Sequence, residues 1–420
     1  MKKILIIYPH FPPSNLAGVH RARLFAQHLP SFGWEPVLLT VHEKFYEENL
    51  DYNLVKLLPR HLRIEKVNAL KRFGPIGDIG IRAFLQLYKK AKQLIKQDKF
   101  DFIYIPIPSF YSALLGRLLF TKTKIKYGID YIDPWVHFFP GSEKIFSRHW
   151  LSTKLAKILE PIAVKNASLI TGVAKGYYKP VLDRNPHLKN IVTGAMPYGG
   201  EIKDHKIISS LKIEPYLFKK KEGIFQFVYA GAMLPKAYGL LKNIFECISL
   251  NKNIFENVEF HFIGTGKITT DENSYNIKPL AEKYLLWNTI VFEYPARIPY
   301  LDVLVHLNIA DAAFILGSTE PHYTPSKVYQ AVLSEKPILA VLHEKSTASD
   351  ILKKSNAGQV ITINEFDLDK LKHSFKVEFL TFKKFASIFK KEQVNQMEFN
   401  NFSAKEVTKT LVSLIEKALL

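Results

Sequence analysis

Short apolar segments alternate with amphipathic segments along most of this chain. The apolar segments are rich in Ile, Val, Leu and Phe, as is typical of buried strands, and the amphipathic ones have helical spacing. Strands that are apolar throughout and alternate with helices indicate parallel sheets covered on both faces, and therefore an α/β fold. The predicted strands are 3–8, 35–41, 62–67, 101–105, 124–130, 168–173, 190–194, 224–230, 257–263, 289–293, 311–316, 336–341 and 358–361. The predicted helices include 19–31, 82–98, 110–120, 174–185, 238–250, 299–308 and 324–334.

The alternation is interrupted once, in a lysine-rich stretch at residues 201–222 that lacks clear periodicity. We interpret this stretch as the connection between two α/β domains. A chain of 420 residues with 47% hydrophobic residues can fill two cores. The predicted organisation is a first domain over 1–205, a linker over 206–222, a second domain over 223–395 and a C-terminal helix over 396–420 that packs back on the first domain.

The amino-acid composition indicates the cellular compartment of the protein. The single cysteine, Cys247, excludes an internal disulfide framework and fits a reducing, cytoplasmic compartment, where we expect it to be a small core residue. The apolar run Ile4–Tyr8 is too short for a signal sequence, so it is interpreted as the first buried strand. No stretch of about eighteen apolar residues occurs, and a transmembrane helix is not expected.

The excess of positive charge indicates an anionic partner. Lys and Arg outnumber Asp and Glu by 58 to 39, which gives a formal net charge of +19. Nucleic acid is not favoured, because the sequence has no zinc-finger spacing, RNP-type motif or basic recognition helix. An anionic membrane surface or a phosphorylated substrate fits better.

One segment combines a helix start with a cation. Pro325 and Ser326 predict the start of a helix, with Ser326 as N-cap, and place Lys327 and Gln330 on one face. A lysine there opposes the helix dipole, which is easiest to understand if an anion such as a phosphate binds beside it. The alternative is a solvated lysine on an ordinary helix.

The loop after the first strand is a second candidate for chemistry, because open α/β sheets bind ligands beyond the carboxyl ends of their strands. It is rich in proline and leads through Gly18 to Arg21 on the following helix. Gly18 would allow the backbone to approach a ligand closely. The alternative is a loop with a purely structural role.

The order of several motifs then resembles one known family. The first loop and Phe32-Gly33-Trp34-Glu35-Pro36 are similar to the N-terminal domain of family-4 glycosyltransferases of the GT-B fold, and Asp130-Tyr131-Ile132-Asp133-Pro134-Trp135 resembles a bacterial surface-glycan branch. The second half has Tyr229-Ala230-Gly231, Phe262-Ile263-Gly264-Thr265-Gly266, Ala310-Asp311 and Pro325-Ser326-Lys327 in the expected order.

The resemblance implies two Rossmann-like, doubly wound domains facing across a cleft, with the acceptor on the N-terminal domain and the nucleotide-sugar on the C-terminal one. It implies a retaining, metal-independent enzyme that moves a sugar from a UDP- or GDP-sugar to a lipid-linked or cell-surface polysaccharide. We expect no cofactor, no metal site and no nucleic-acid partner, and a cytoplasmic protein that is peripheral on the inner face of the cell membrane.

The same resemblance implies the site residues. The expected catalytic residues are Asp133, Lys236 and Lys327; the donor-binding residues are Gly231, Gly264, Arg297, Ile298, His322, Pro325, Ser326, Val328 and Gln330; and the acceptor loop has Gly18, Arg21 and Asp130. The lysines would stabilise the leaving diphosphate, and Asp133 would orient the acceptor or assist near the anomeric carbon. The alternatives are surface lysines, a turn cap at Asp133 and a polar loop residue at His322.

Two departures from the family keep other functions open. His322 and Gln330 stand where the family usually has a pair of glutamates, and the turn after Gly231 retains only Lys236 of two expected basic residues. An amide can still hydrogen-bond a ribose, but it carries no charge. A GT-B nucleotide-sugar epimerase or hydrolase, and an inactive nucleotide- or glycan-binding protein, are the alternatives.

Two basic amphipathic segments bear on location. Residues 138–159 mix aromatic and aliphatic side chains with Lys and Arg, and helix 82–98 places Phe84, Tyr88, Ala91 and Ile95 on one stripe. Either stripe could lie in lipid headgroups or pack against a core.

Overall fold

A computed structural model describes residues 1–72, 77–137, 144–321, 323–364 and 368–420. The chain forms two compact units. Unit 1 contains Met1–Tyr198 and Ala404–Leu420, and unit 2 contains Gly199–Ser403. Each unit has one parallel sheet, so the predicted α/β fold is confirmed.

Unit 1 is built on seven parallel strands in the order β3-β2-β1-β4-β5-β6-β7. Successive side chains of a strand point to opposite faces, and in β1 Leu5 and Ile7 enter one core while Ile4 and Ile6 enter the other. The strands are β1 Lys2–Ile7, β2 Trp34–Val41, β3 Arg63–Val67, β4 Phe102–Ile107, β5 Tyr127–Tyr131, β6 Leu169–Gly172 and β7 Val192–Ala195. The helices between them are α1 Ala17–His28, α2 Ile79–Arg82, α3 Phe84–Gln97, α4 Ala113–Thr123, α5 Arg148–Val164 and α6 Lys175–Arg184.

Unit 2 has six parallel strands in the order β10-β9-β8-β11-β12-β13. Its main core is aromatic, with stacked Phe227 and Phe260 covered by Phe379 and Phe382. The strands are β8 Phe225–Ala230, β9 Val258–Ile263, β10 Val291–Tyr294, β11 Ala312–Leu316, β12 Ile338–His343 and β13 Gly358–Ile363. The helices are α7 Ile202–Leu211, α8 Tyr238–Leu250, α9 Lys278–Lys283, α10 Tyr300–Ile309, α11 Lys327–Leu333, α12 Thr347–Ser355, α13 Lys370–Ile388 and α14 Gln396–Asn400.

The last helix, α15 Ala404–Leu419, belongs to unit 1. Its apolar stripe, Val407, Leu411 and Ile415, shares a core with residues of α1 and β1. The spacing of four residues keeps these side chains on one face, which explains why the C-terminal end of the chain covers the first sheet.

Each predicted strand corresponds to a strand of the structure, and Cys247 is a buried core residue as expected. Residues 201–222, which we interpreted as the connection between two domains, contain a helix that the sequence pattern did not predict. Residues 202–211 form α7, and Glu201 caps it by accepting a hydrogen bond from the backbone of Lys203. The segment is polar because α7 buries only Asp204 and Ile208, and so its periodicity is weak.

Acid should destabilise unit 2 through a buried histidine. His261 stacks on Phe218 and contacts Glu259 at 3.1 Å, with Lys221 and His306 nearby, and burial lowers its pKa to about 4. An unfolded histidine titrates near pH 6.5, so the folded state binds fewer protons between these values and stability falls as the pH drops. We expect unit 2 to lose about 2 kcal/mol between pH 7 and pH 5. Denaturant unfolding at pH 7 and pH 5 would measure this loss in the wild type and in His261→Phe, which retains the stacking but cannot titrate. An equal loss of stability in both proteins would show that His261 is not its cause.

Candidate functional site

Two glycines lie side by side at the carboxyl ends of adjacent strands in unit 2. Gly231 follows β8 with φ 112° and Gly264 follows β9 with φ 70°, both in the left-handed region that favours glycine. A Cβ placed on Gly264 would lie only 4.0 Å from the backbone nitrogen of Gly231. The carboxyl end of this sheet therefore has a pair of tight turns without side chains, where backbone can approach a ligand.

Lys327, the first residue of α11, directs its ammonium group at these turns. Its Nζ lies 3.5 Å from the position of a Cβ on Gly231 and 3.6 Å from the centroid of the Tyr229 ring. The Nζ atom is buried and has no hydrogen-bond partner among the described residues. The ring face of Tyr229 offers a cation–π contact, which compensates only part of the lost hydration.

Desolvation lowers the pKa of Lys327 to about 7. A buried ammonium without a carboxylate or carbonyl partner is costly, and such groups are concentrated at functional sites. The cation, beside turns that carry no side chain, can hold an anion with several oxygens, such as a phosphate or diphosphate. This group of residues, Tyr229, Gly231, Gly264 and Lys327, is called the lysine site below.

The start of α11 differs in detail from the expected one. Ser326 stands at the N-cap position, but its side chain makes no capping hydrogen bond, and the helix spans only Lys327–Leu333. Pro325 and Val328 are buried and fix the helix against unit 2. The feature that marks Lys327 as an anion-binding residue is therefore its burial against Tyr229 and Gly231, and not the helix dipole.

Gln330 is held by a residue that the sequence did not indicate. Its Oε1 lies 2.9 Å from Nε2 of His205, which comes from α7. Burial lowers the pKa of His205, so the ring is neutral near pH 7 and donates from Nε2 to the amide oxygen. The amide nitrogen of Gln330 has no partner in the part of the chain that the structure describes, and it can donate to a ligand hydroxyl.

The other predicted donor-side residues are less closely grouped. Lys236 is 57% exposed and its Nζ lies 3.4 Å from Glu320, so it does not join the lysine site. Arg297 and Ile298 follow β10 and are half-buried, and the Cα of Arg297 lies 3.8 Å from a Cβ placed on Gly264. His322 lies outside the described residues.

In unit 1, Arg21 and Asp130 form a fully buried pair instead of an exposed acceptor site. Arg21 donates from Nε and Nη2 to the two carboxylate oxygens, and from Nη1 to the carbonyl oxygens of Met196 and Pro197 at 2.8 Å each. Both side chains are 0% exposed. The pair holds α1 against the carboxyl ends of β5 and β7. A role for either residue at an acceptor stays a prediction.

Gly18 and Asp133 remain at this end of the unit 1 sheet. A Cβ at Gly18 would lie 2.2 Å from the Tyr8 hydroxyl, so only glycine lets α1 start over that ring.

Asp133 is exposed and its carboxylate accepts no hydrogen bond from the described residues, which argues against a turn cap. Surrounding protein nevertheless raises the pKa of Asp133 by desolvation. Burial raises the pKa of Tyr8 and Tyr198, and the charge of Asp133 raises both further, which places the three groups near one another.

The residues that sequence reasoning missed are Tyr229, His205, Glu320 and the tyrosines beside Asp133. Tyr229 was detectable, since it lies near the carboxyl end of a strand and beside a glycine turn, and open α/β sheets bind ligands at that edge. His205 was not, because it contacts Gln330 across 125 positions of sequence. No group of three or more His, Cys, Asp or Glu within the described ranges is arranged to hold a metal ion.

Comparison with known proteins identifies the fold. A UDP-forming α,α-trehalose-phosphate synthase from Burkholderia xenovorans matches with a TM-score of 0.67 and 11% identity over 100% of both chains. A glycosyltransferase from Rickettsia africae matches with a TM-score of 0.62 and 17% identity, covering 100% of this chain and 98% of that one. HepE of Anabaena in complex with UDP matches with a TM-score of 0.59 and 13% identity over 99% of this chain and 100% of that one. No protein-family model matches the sequence, and no curated protein matches it.

These full-length similarities establish the GT-B fold.

Proposed function

We propose that the protein is a glycosyltransferase that uses a nucleotide-sugar donor, with the donor diphosphate bound at the lysine site of unit 2. The observation that carries the proposal is the buried ammonium of Lys327, which lacks a hydrogen-bond partner in the described chain and faces the Gly231 turn. A GT-B protein with a buried, unpartnered cation beside the carboxyl end of a sheet has that cation where an anionic ligand is expected. The structures of HepE with UDP and with UDP-glucose support a nucleotide-sugar as the ligand class.

Three groups account for donor binding and bond cleavage. Lys327 offsets the negative charge that grows on the leaving diphosphate, and it does so where little water competes. The free amide nitrogen of Gln330, held by His205, donates to a hydroxyl of the ribose. Lys236 has a smaller part, because Glu320 neutralises it at the surface.

The finer features of the proposal follow the family resemblance. The transfer retains anomeric configuration, needs no metal, uses a UDP- or GDP-sugar and delivers it to a lipid-linked or cell-surface glycan. Asp133 in unit 1 is the group available to orient the acceptor, because its carboxylate is exposed and unengaged. Partial desolvation, which raises its pKa, also suits it to accept a proton or hydrogen bond from a hydroxyl.

A nucleotide-binding protein without transferase activity is the second candidate. The neutral Gln330 and the Lys236–Glu320 pair favour it, because both weaken the positive field expected around a departing diphosphate.

A donor screen followed by an activity assay separates these functions. Thermal shifts with UDP, GDP, ADP and their sugars, all in EDTA, should identify one base that stabilises the protein. With that donor, release of nucleoside diphosphate should depend on added glycan acceptor. Stabilisation without acceptor-dependent release would support the inactive binding protein, and no stabilisation by any nucleotide would contradict both functions.

A further inference from the structure

Helix α5 has two opposite faces, and only one of them packs on the protein. The inner face buries Ala156, Glu160, Ala163 and Val164. Glu160, the one acidic residue of this helix, is paired with Arg184 at 2.7 Å. The charge of Glu160 is therefore paired, and the inner face anchors α5 to unit 1.

The outer face is an exposed apolar stripe. Leu151, Leu155, Ile158 and Ile162 are 54%, 38%, 62% and 41% exposed. Their spacings of four, three and four residues place them on one line along the helix, opposite to the buried face. Just before the helix, Ile145 and Phe146 are also exposed, Phe146 to 88%.

Another helix of unit 1 buries a stripe of similar spacing. Helix α3 carries a similar stripe, but its Phe84, Tyr88, Ala91 and Ile95 all pack against the core of unit 1. The pattern of α3 is thus explained by folding alone. The outer stripe of α5 has no such partner within the described protein, and a row of exposed aliphatic residues marks an interaction surface.

Along the described helix, the exposed charged side chains are positive. Arg148, Lys154 and Lys165 flank it on a helical projection, and each is exposed. Lys144, just before the helix, and Lys157 are exposed as well. Trp150 lies beside Phe146, with ring centroids 5.6 Å apart, and Lys154 lies over its ring at 5.5 Å. Helices that lie among lipid headgroups typically have an exposed apolar stripe, flanking basic residues and a half-buried Trp, as α5 does.

We propose that the outer face of α5, with Ile145 and Phe146, binds the surface of an anionic membrane. The aliphatic stripe would enter the boundary between headgroups and acyl chains, and the flanking cations would contact lipid phosphates. Charge complementarity favours this occupant over a second copy of the chain, because two such basic faces would repel each other. The inference does not depend on the nucleotide site.

Vesicle flotation tests it directly. The wild-type protein should float with vesicles containing anionic phosphatidylglycerol, should float less at high salt, and should not float with neutral phosphatidylcholine vesicles. Replacing Arg148, Lys154 and Lys165 together by Gln should lower partitioning about a hundredfold, since each basic residue contributes about fivefold near such a surface. Leu155→Gln, Ile158→Gln and Ile162→Gln combined should also reduce binding to anionic vesicles by at least about tenfold.

Matched controls come from other exposed helices. Val377→Gln with Leu380→Gln removes exposed aliphatic residues from α13, and replacing Lys353, Lys354 and Lys384 by Gln removes three exposed cations from α12 and α13. These variants should float like the wild type if the α5 surface is specific. Equal flotation on neutral and anionic vesicles, no flotation, or equal losses in α5 and control variants would overturn the proposal. So would light scattering that shows a wild-type dimer converted to monomer by the α5 aliphatic substitutions, because self-association would then explain the surface.

Discussion

Replacing Lys327 by Met should make unit 2 more stable and weaken its binding of nucleoside diphosphate at the same time. The folded protein holds the pKa of this lysine at about 7, whereas an unfolded lysine titrates near 10.4. The folded state therefore binds fewer protons between these values, so wild-type stability is lowest near pH 7 and below and rises toward pH 10. Met occupies a similar volume without charge, and we expect it to stabilise unit 2 by about 2–4 kcal/mol at pH 7.

The loss of affinity has a separate cause. Without the ammonium group the diphosphate loses a charge-assisted contact of about 1.5–3 kcal/mol, and its dissociation constant should rise about ten- to a hundredfold. Denaturant unfolding at pH 7 and pH 9, with calorimetric titration of UDP and GDP, measures both effects. Lys236→Met is the control, since Lys236 is exposed and paired with Glu320, and it should change stability little. A Lys327→Met protein that is less stable and binds equally well would show that Lys327 is a structural residue.

Replacing Asp130 by Ala should strongly destabilise unit 1. The substitution leaves the Arg21 guanidinium buried with only the carbonyls of Met196 and Pro197, and it also removes the acceptor of the Thr171 hydroxyl. Breaking a buried pair from one side typically costs about 3–5 kcal/mol. Urea unfolding monitored by a unit 1 probe such as Trp34 fluorescence would measure this loss.

Removal of both charges provides the control. The double variant Arg21→Met with Asp130→Leu leaves no unpaired charge, and it should recover most of the stability lost in Asp130→Ala. A loss below about 1 kcal/mol in Asp130→Ala would mean that the pair does not hold α1, and a direct ligand role for Arg21 would have to be reconsidered.

The strands were predictable because their surroundings are simple. In a parallel sheet covered on both faces most residues of the central strands are buried, so β8 and β12 are recognisable as mainly apolar runs without knowledge of their partners. Helix α7 was missed because only Asp204 and Ile208 of its residues are buried, and such a helix has almost no apolar stripe. The apolar stripes of α3 and α5 are similar in sequence, but only the structure shows that the α3 stripe packs against a core and the outer stripe of α5 is exposed.

The site was predictable in its residue types but not in its contacts. A helix start indicated Lys327, yet its low pKa comes from burial against Tyr229 and Gly231, which lie about a hundred positions earlier. The sequence indicated Arg21 and Asp130 as residues of the acceptor loop. Their contact with each other is long-range, and only the fold shows that they are engaged by one another.

The most direct measurement is calorimetric titration of the nucleoside diphosphate that the donor screen selects, at pH 8 in EDTA, in two buffers of different ionisation enthalpy. The free Lys327 is largely neutral at this pH, and a bound diphosphate would restore its proton, so binding should proceed without metal and take up nearly one proton. Lys327→Arg, which stays charged, should bind with almost no proton uptake. Absence of binding for every nucleoside diphosphate, or the same proton uptake in wild type and Lys327→Arg, would contradict a diphosphate at the lysine site.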